Sequence, residues 1–148
     1  MNRRQFLQLG APAAAPAWGQ PPKRIAAITT SYFFRSHADD IVTRELEGYW
    51  IGEQFYAPPV SIVSLYQDQI HAADVGRKLA MAYKVPIKKS IGEALTLGSG
   101  KLAVDGVIAI GEHGDYPWNA KQQQLYPRFE FFSQVVDEFR RSGRAVPV

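Results

Sequence analysis

The sequence predicts an α/β protein with a Rossmann-like, doubly wound and mainly parallel sheet that carries helices on both faces. Short apolar segments rich in β-branched residues alternate with segments in which apolar residues recur at helical spacing. The interior strands are apolar at successive positions, so both of their faces need cover, as is typical of parallel sheets. At 148 residues the chain is long enough to bury one core.

The first half of the chain supplies a strand, a helix and a second strand. A buried strand is expected over residues 25–30. Ser36, with Asp39 three positions later, resembles a capping box and begins a helix that carries one apolar stripe. The segment GYWIGEQFYAPP is expected to be an irregular aromatic connector, and VSIVSLY is expected to be the second strand.

The middle of the chain continues the alternation. AADVGRKLAMAYK is expected to be the second helix, and VPIKK a short third strand. One side of that helix is expected to carry Val75, Leu79 and Ala82. Ser90 and Glu93 form a second capping box, which begins a short helix that Gly98 ends. The fourth strand lies in LAVDGVIAIG.

The last helix and the C-terminal segment complete the pattern. Pro127 suits the first turn of a helix over YPRFEFFSQVVDEFRRSG, and Gly143 stops that helix. Its buried face is expected to carry Phe132, Val136 and Phe139. RAVPV is expected to begin a fifth strand. Two possibilities stay open there: the domain is complete at Val148, or it is truncated and continues beyond it.

The N-terminal segment predicts export. Arg3 and Arg4, followed by Gln5 and then Phe6-Leu7, resemble a bacterial twin-arginine signal, with an Ala- and Pro-rich run behind them. We therefore expect an export signal over residues 1–19, read by the twin-arginine machinery, then a linker over 20–24 and the domain over 25–148. Cleavage near residues 17–20 would leave a periplasmic or extracellular protein. The simpler interpretation is a disordered basic tail.

Charge and cysteine content exclude several classes of protein. The formal net charge is +3, and removal of the two signal arginines leaves about +1, with no cluster of Lys and Arg that would indicate nucleic-acid binding. The absence of cysteine excludes disulfides and thiolate metal sites. The apolar part of the signal is much shorter than the roughly 20 residues that cross a bilayer, so no stable membrane anchor is expected.

One segment resembles a known enzyme family. LAMAYKVPIKKSIGEALTLGSGKLAVDGVIAI is similar to part of the nucleotide-binding domain of the glucose-fructose oxidoreductase and inositol dehydrogenase family, with Asp105 at that family's Asp before the fourth strand. The resemblance implies a Rossmann-like fold and an NAD(P)-dependent oxidoreductase of unknown substrate. The chain also resembles a set of exported bacterial proteins that share the stretches SHAD and GEHGDYP.

The loop after the first strand differs from that family. TTSYFFRSHAD contains none of the glycines that let a backbone approach a pyrophosphate. If a dinucleotide binds, the hydroxyls of Thr29, Thr30 and Ser31 are the expected phosphate donors. Asp68, which follows the second strand, is the expected ribose ligand.

A polar cluster is expected where strands end. His37 follows the first strand, and Glu112, His113 and Asp115 follow the fourth. These strands should be neighbours, and ligands bind outside the carboxyl ends of such sheets near the switch in strand order. The four residues are therefore candidates for catalysis, for binding an anion, or for holding a divalent metal through imidazole and carboxylate ligands.

Further polar residues have ordinary explanations beside functional ones. His71 fits a solvated helix start, and Tyr126 and Arg128 fit the beginning of the last helix, although Arg128 is also a candidate anion clamp. No serine-nucleophile motif or phosphate-binding loop occurs. The sequence thus predicts a small-molecule ligand and leaves open whether the chain is an enzyme.

Two measurements distinguish dinucleotide binding from metal binding. A dinucleotide-binding protein should gain thermal stability when NAD(P) is added, because ligand that binds only the folded chain stabilises it. A metal-binding protein should instead purify with zinc, iron or manganese, measured by elemental analysis. The metal should be lost in His113→Ala.

Overall fold

A computed structural model of the protein describes residues 21–148. The predicted export signal and the first residue of the predicted linker lie outside these residues. Within them, no helix is both long and apolar enough to cross a membrane. The elements in chain order are β1 (Lys23–Thr29), α1 (His37–Glu47), β2 (Tyr49–Ile51), β3 (Gln54–Tyr56), β4 (Val60–Gln67), α2 (Gly76–Ala82), β5 (Ile87–Lys88), α3 (Ile91–Thr96), β6 (Gly106–Ile110) and α4 (Arg128–Ser142).

The predicted α/β class is confirmed. Four strands form one all-parallel sheet in the order β5-β4-β1-β6. The chain steps outward from β1 through β4 to β5 and then returns to the other side of β1 to add β6. This reversal leaves β1 in the interior of the sheet. The chain leaves β1 toward the face covered by α1 and leaves β6 toward the face covered by α4, and this divergence forms a crevice at the carboxyl edge.

Each face of the sheet is covered by helices, and each has its own apolar core. Ala26 and Ile28 of β1 point to the side of α3 and α4, whereas Ala27 points to the side of α1 and α2. This alternation follows from the two-residue period of a strand. All three side chains are fully buried, as the successive apolar residues of this strand indicate.

Both predicted serine N-caps form, but the reciprocal bonds of the capping boxes do not, because Asp39 and Glu93 accept from the N–H of the residue before each cap. The Ser36 hydroxyl accepts a hydrogen bond from the Asp39 N–H at 3.2 Å and caps α1. Ser90 caps α3 in the same way through the Glu93 N–H. Ser36 is fully buried and also accepts from the Phe33 N–H, so it holds the loop before α1 as well as the helix itself. The start of α1 is therefore well fixed.

The apolar faces predicted for two helices are confirmed in part. Phe139 of α4 is partly buried against the core on its side of the sheet, and Val75 and Leu79 at α2 are partly buried against the other core. In α4 the buried residues are Phe131, Val135 and Glu138, while Phe132 is 52% exposed. The sequence RFEFF allows two apolar stripes on the helix. The stripe that meets the sheet also contains the carboxylate of Glu138, so apolar periodicity alone does not identify it. In α2 the buried residues are Gly76 and Ala80, whereas Ala82 is exposed.

The connector after α1 is not irregular, as predicted, but a β-hairpin. β2 and β3 pair antiparallel across a two-residue turn of Gly52 and Glu53. Gly52 has a φ of +59°, which glycine adopts without strain at the first turn position of such hairpins. Neither face of this hairpin is buried, and aromatic residues occupy successive positions. The segment therefore lacks the alternation of apolar and polar residues that would identify its strands.

The predicted fifth strand does not form either. Residues 144–148 have no strand conformation, although the Pro147 carbonyl accepts a hydrogen bond from the Val107 N–H at 2.9 Å. Because proline has no N–H, Pro147 cannot donate a hydrogen bond to β6 in return. The segment lies beside β6 through this backbone bond.

Leu95 tests the core between the sheet and α3. Its side chain is fully buried, so Leu95→Ala should lower the free energy of unfolding by about 2–5 kcal/mol through lost burial and the cavity left behind. Met81→Ala, on a residue that is 79% exposed, is the matched control and should change it by less than about 0.5 kcal/mol. Urea denaturation measures both. Similar losses for the two variants would contradict this packing.

Candidate functional site

The site lies where three parallel strands end at the same level. Thr29, the last residue of β1, pairs with Gln67 of β4 on one side and with Ile110 of β6 on the other. The loops that leave these strands therefore share one edge of the sheet. His37, the first residue of α1, and Glu112, two residues after β6, meet there.

A chain of polar side-chain contacts crosses this crevice. The Nδ1 atom of His37 lies 3.1 Å from Oε2 of Glu112. The other oxygen of Glu112 accepts from the guanidinium of Arg128 at 2.8 Å. Arg128 also donates through Nε to the Gly111 carbonyl at 3.1 Å. Gly111 permits this approach, because a Cβ there would lie 2.8 Å from Cγ of Arg128.

His113 joins the same cluster. Its Nε2 atom lies 3.0 Å from Nδ1 of His37, and the two rings stack with centroids 5.0 Å apart. His113 has a φ of +64°, the left-handed region that a residue with a side chain adopts at some cost. In this backbone conformation the ring of His113 contacts both the ring of His37 and the ring of Phe33.

Two depressions lie on either side of the histidine pair. The first depression has a volume of about 630 Å³ and brings polar residues of the crevice together with apolar residues of α1 and α4. It is lined by His37, Ile41, Ala109, Ile110, Gly111, Glu112, Arg128, Phe131, Phe132 and Val148.

The second depression has a volume of about 570 Å³ and lies on the His113 side of the pair. It is lined by Ser31, Phe33, Gln69, Ile70, His71, Ala72, His113, Gly114, Asp115, Gln124 and Tyr126. His37 thus lines the first depression, and its stacking partner His113 lines the second.

Asp115 does not join the cluster, although His37, Glu112 and His113 do. Asp115 is exposed and lines the second depression. Its backbone is bound by the side chain of Gln69, which accepts from the Asp115 N–H at 2.8 Å and donates to its carbonyl at 3.0 Å. His71 stacks on Phe33 with ring centroids 4.2 Å apart, also in the second depression.

Two of the three hydroxyls expected to hold a dinucleotide, those of Thr29 and Thr30, are used within the protein. Thr29 donates to the Tyr66 carbonyl at 3.2 Å, and Thr30 donates to the carbonyls of Ile110 and Glu112. Both threonines are fully buried, and Ser31 is 2% exposed. In this conformation neither threonine has a hydroxyl hydrogen left for a phosphate. The loop therefore fits a pyrophosphate poorly.

Asp68, the expected ribose ligand, is held by two phenols. Its carboxylate oxygens accept from Tyr66 at 2.7 Å and from Tyr116 at 2.6 Å. Burial raises the pKa of Tyr66 to about 12, and the hydrogen bond to Asp68 and the charge of Asp68 act in the same direction. Burial and the same carboxylate raise the pKa of Tyr116 as well. Asp68 thus ties the loop after β4 to the loop after β6.

Arg128, a candidate anion clamp in the sequence, here binds Glu112 and a backbone carbonyl. Two further residues that shape the site were not expected there. Phe132, expected in the core, lines the first depression. Gln69 gives no sequence signal, because a glutamine that pairs with a backbone 46 residues away leaves no local pattern.

The three residues that meet are types that ligate metals, but their arrangement does not form a metal site. Within residues 21–148, no group of three or more His, Asp or Glu side chains is placed to hold a metal ion. His37 and Glu112 instead contact each other directly. Metal binding stays a prediction.

Comparison with known proteins gives no relative to reason from. No family model, curated protein or solved structure matches the chain.

The two tyrosines bound to Asp68 should make the free energy of unfolding depend on pH in the alkaline range. A tyrosine in the unfolded chain loses its proton near pH 10, whereas Tyr66 keeps its proton in the folded chain to about pH 12. Above pH 10 the unfolded state therefore binds fewer protons, and the free energy of unfolding should fall as pH rises toward 12. Urea denaturation at several pH values measures this fall.

Tyr116→Phe removes one of these groups, so its free energy of unfolding should fall less steeply over the same pH range. Tyr56→Phe, in the exposed hairpin, is the control and should keep the slope of the parent chain. A slope that is unchanged in Tyr116→Phe would contradict the assignment.

Proposed function

We propose that this protein binds a small, uncharged, hydroxyl-bearing molecule in the first depression. The observation that carries the proposal is the contact of His37 with Glu112, at 3.1 Å, across the switch in strand order. Open α/β sheets bind their ligands at this position. The volume of about 630 Å³ is within the usual range for small-molecule sites.

The charges favour a neutral ligand over an ionic one. Glu112 and Arg128 bind each other, so their charges largely cancel. Each nevertheless keeps hydrogen-bonding capacity, because a guanidinium has five N–H donors and Arg128 uses two of them within the protein. Adjacent carboxylate and guanidinium groups can accept from one hydroxyl and donate to its neighbour. A polyol or a sugar offers such pairs of hydroxyls.

The apolar side of the depression fits the carbon skeleton of such a ligand. Phe132 is 52% exposed and Ile41 is 43% exposed, and both line the first depression. An aromatic ring can pack against the C–H face of a ring-shaped polyol. The carboxylate and guanidinium beside that ring can bind the hydroxyls of the same polyol. Burying the exposed part of Phe132 would add a favourable hydrophobic contribution.

An NAD(P)-dependent oxidoreductase activity is the second candidate. The strand order β5-β4-β1-β6 favours it, since this is the order of one mononucleotide-binding half of a dinucleotide fold together with the strand across the switch point. It also agrees with the family that the sequence resembles. Against it, Thr29 and Thr30 already donate their hydroxyl hydrogens within the protein. Binding without a dinucleotide is therefore the first proposal.

Export by the twin-arginine machinery belongs to the same proposal. Its support is the Arg3-Arg4 motif alone. An exported binding protein would meet its ligand outside the cytoplasm, where free polyols and sugars are common chemical forms.

A titration monitored by backbone amide NMR tests the proposed ligand. We expect myo-inositol or D-glucose to shift the signals of residues 111–113 and 132. Glu112→Ala should weaken the binding by about tenfold or more, the factor that one hydrogen bond to a charged group provides. Asp115→Ala, outside the first depression, is the matched control and should bind as the parent chain does.

The same titration with inorganic phosphate, zinc chloride and NAD⁺ tests for an anion, a metal or a dinucleotide instead. Shifts at residues 111–113 with phosphate or zinc, and none with either polyol, would contradict the proposal in favour of an anion or metal site. Shifts around residues 29–31 with NAD⁺ would favour the oxidoreductase.

A further inference from the structure

The hydrogen-bond partners of His37 determine which ring nitrogen carries its proton. Nδ1 of His37 lies 3.1 Å from Oε2 of Glu112 and 3.0 Å from Nε2 of His113. An ionised carboxylate can only accept hydrogen bonds. Glu112 also binds Arg128 through its other oxygen, at 2.8 Å. A carboxylate oxygen 3.1 Å from Nδ1 repels a lone pair there and attracts a hydrogen, so the charge of Glu112 favours hydrogen on Nδ1 of His37. Nε2 of His113 can accept the hydrogen bond that this Nδ1–H donates.

The proton of His113 is then assigned as well. If Nε2 of His113 accepts from His37, a neutral His113 must carry its hydrogen on Nδ1. His113 has a left-handed backbone conformation, which glycine would adopt with less strain.

We propose that Glu112, held by Arg128, fixes His37 in the tautomer with hydrogen on Nδ1, and that His113 is its second acceptor. The bare Nε2 of His37, which has no hydrogen-bond partner among residues 21–148, then serves the first depression as an acceptor. It selects ligand groups that donate a hydrogen bond, as a hydroxyl does. The ligand class rests on the function proposed above, whereas the tautomer does not.

The two depressions would differ in polarity as a result. His37 lines the first depression and would present an acceptor there, whereas His113 lines the second and would present a donor. A hydroxyl therefore suits the first depression, and a carbonyl oxygen suits the second. His113 is a positioning residue for His37 and is not itself expected to touch the ligand in the first depression.

The third histidine provides an internal control. Nδ1 of His71 accepts a hydrogen bond from the Ala73 N–H at 3.0 Å, so a neutral His71 carries its hydrogen on Nε2. Since the chain has three histidines, one spectrum should show two rings in one tautomer and one ring in the other.

Long-range ¹H–¹⁵N NMR of the imidazole rings, on the labelled full chain without ligand at pH 8, tests the proposal. We expect protonated Nδ1 and bare Nε2 in His37 and His113, and the reverse in His71. Single substitutions of each histidine by Gln assign the rings. A His37 ring with hydrogen on Nε2 in the parent chain would overturn the proposal without any further variant.

Glu112→Gln tests the cause. Loss of the carboxylate charge should shift the tautomer ratio of His37 toward Nε2–H by about tenfold or more, the factor expected for a hydrogen bond to a charged group. Asp115→Asn is the matched control in the same loop and should leave the ratio unchanged. A ratio unchanged in Glu112→Gln would also overturn the proposal.

His113→Gly separates positioning from structural support. It relieves the left-handed backbone, so thermal stability should not fall, whereas the tautomer ratio of His37 should move toward Nε2–H. His113→Gln, which retains an acceptor on a side chain of similar length, should restore the ratio. A fall in stability with an unchanged ratio would assign His113 a purely structural role and contradict the inference.

These results do not depend on the ligand experiments. Expected tautomers in a chain that binds neither polyol would contradict the proposed function and keep this inference. Polyol binding by a chain whose His37 carries hydrogen on Nε2 would contradict this inference and keep the proposed function.

Discussion

The register of β1 between β4 and β6 determines where the site can form. Thr29, Gln67 and Ile110 end their strands at one level. Because the strands are parallel, the loops that follow them leave the same edge of the sheet. The return of the chain to the far side of β1 then places α1 and the loop after β6 beside each other. His37 and Glu112 meet for this reason, although a long stretch of sequence separates them.

Buried polar groups fix the loops at this edge. Thr30 donates to the carbonyls of Ile110 and Glu112, so the end of β1 holds the beginning of the loop after β6. Gln69 binds the backbone of Asp115 through both atoms of its amide. Such side-chain bonds replace the regular ladder where the strands have ended, and they satisfy backbone groups that would otherwise be left without partners. The hydroxyl hydrogens of Thr29 and Thr30, expected to face a dinucleotide, are used in such bonds.

Much of this arrangement can be predicted from the sequence, because it depends on local patterns. Apolar β-branched segments identify the strands of the sheet, Ser36 and Ser90 identify two helix starts, and the alternation of elements identifies the edge where His37 and Glu112 lie. The remainder depends on contacts that no local pattern reveals. The buried face of α4 contains Glu138, whose partners Arg141 and Ser142 make its burial tolerable. The hairpin of β2 and β3 has no buried face, so its period is not visible in the sequence.

The meeting of α1 with the loop after β6 can be measured through the two histidines that these segments carry. In the folded chain the ring centroids of His37 and His113 lie 5.0 Å apart. Nuclear Overhauser measurements on the ring protons should give cross-peaks between these two histidines, and between His113 and Phe33, whose centroids lie 5.2 Å apart. Cross-peaks from His113 to Phe33 without any to His37, in a chain with the expected sheet, would show that α1 and the loop after β6 do not meet and that the proposed site does not exist.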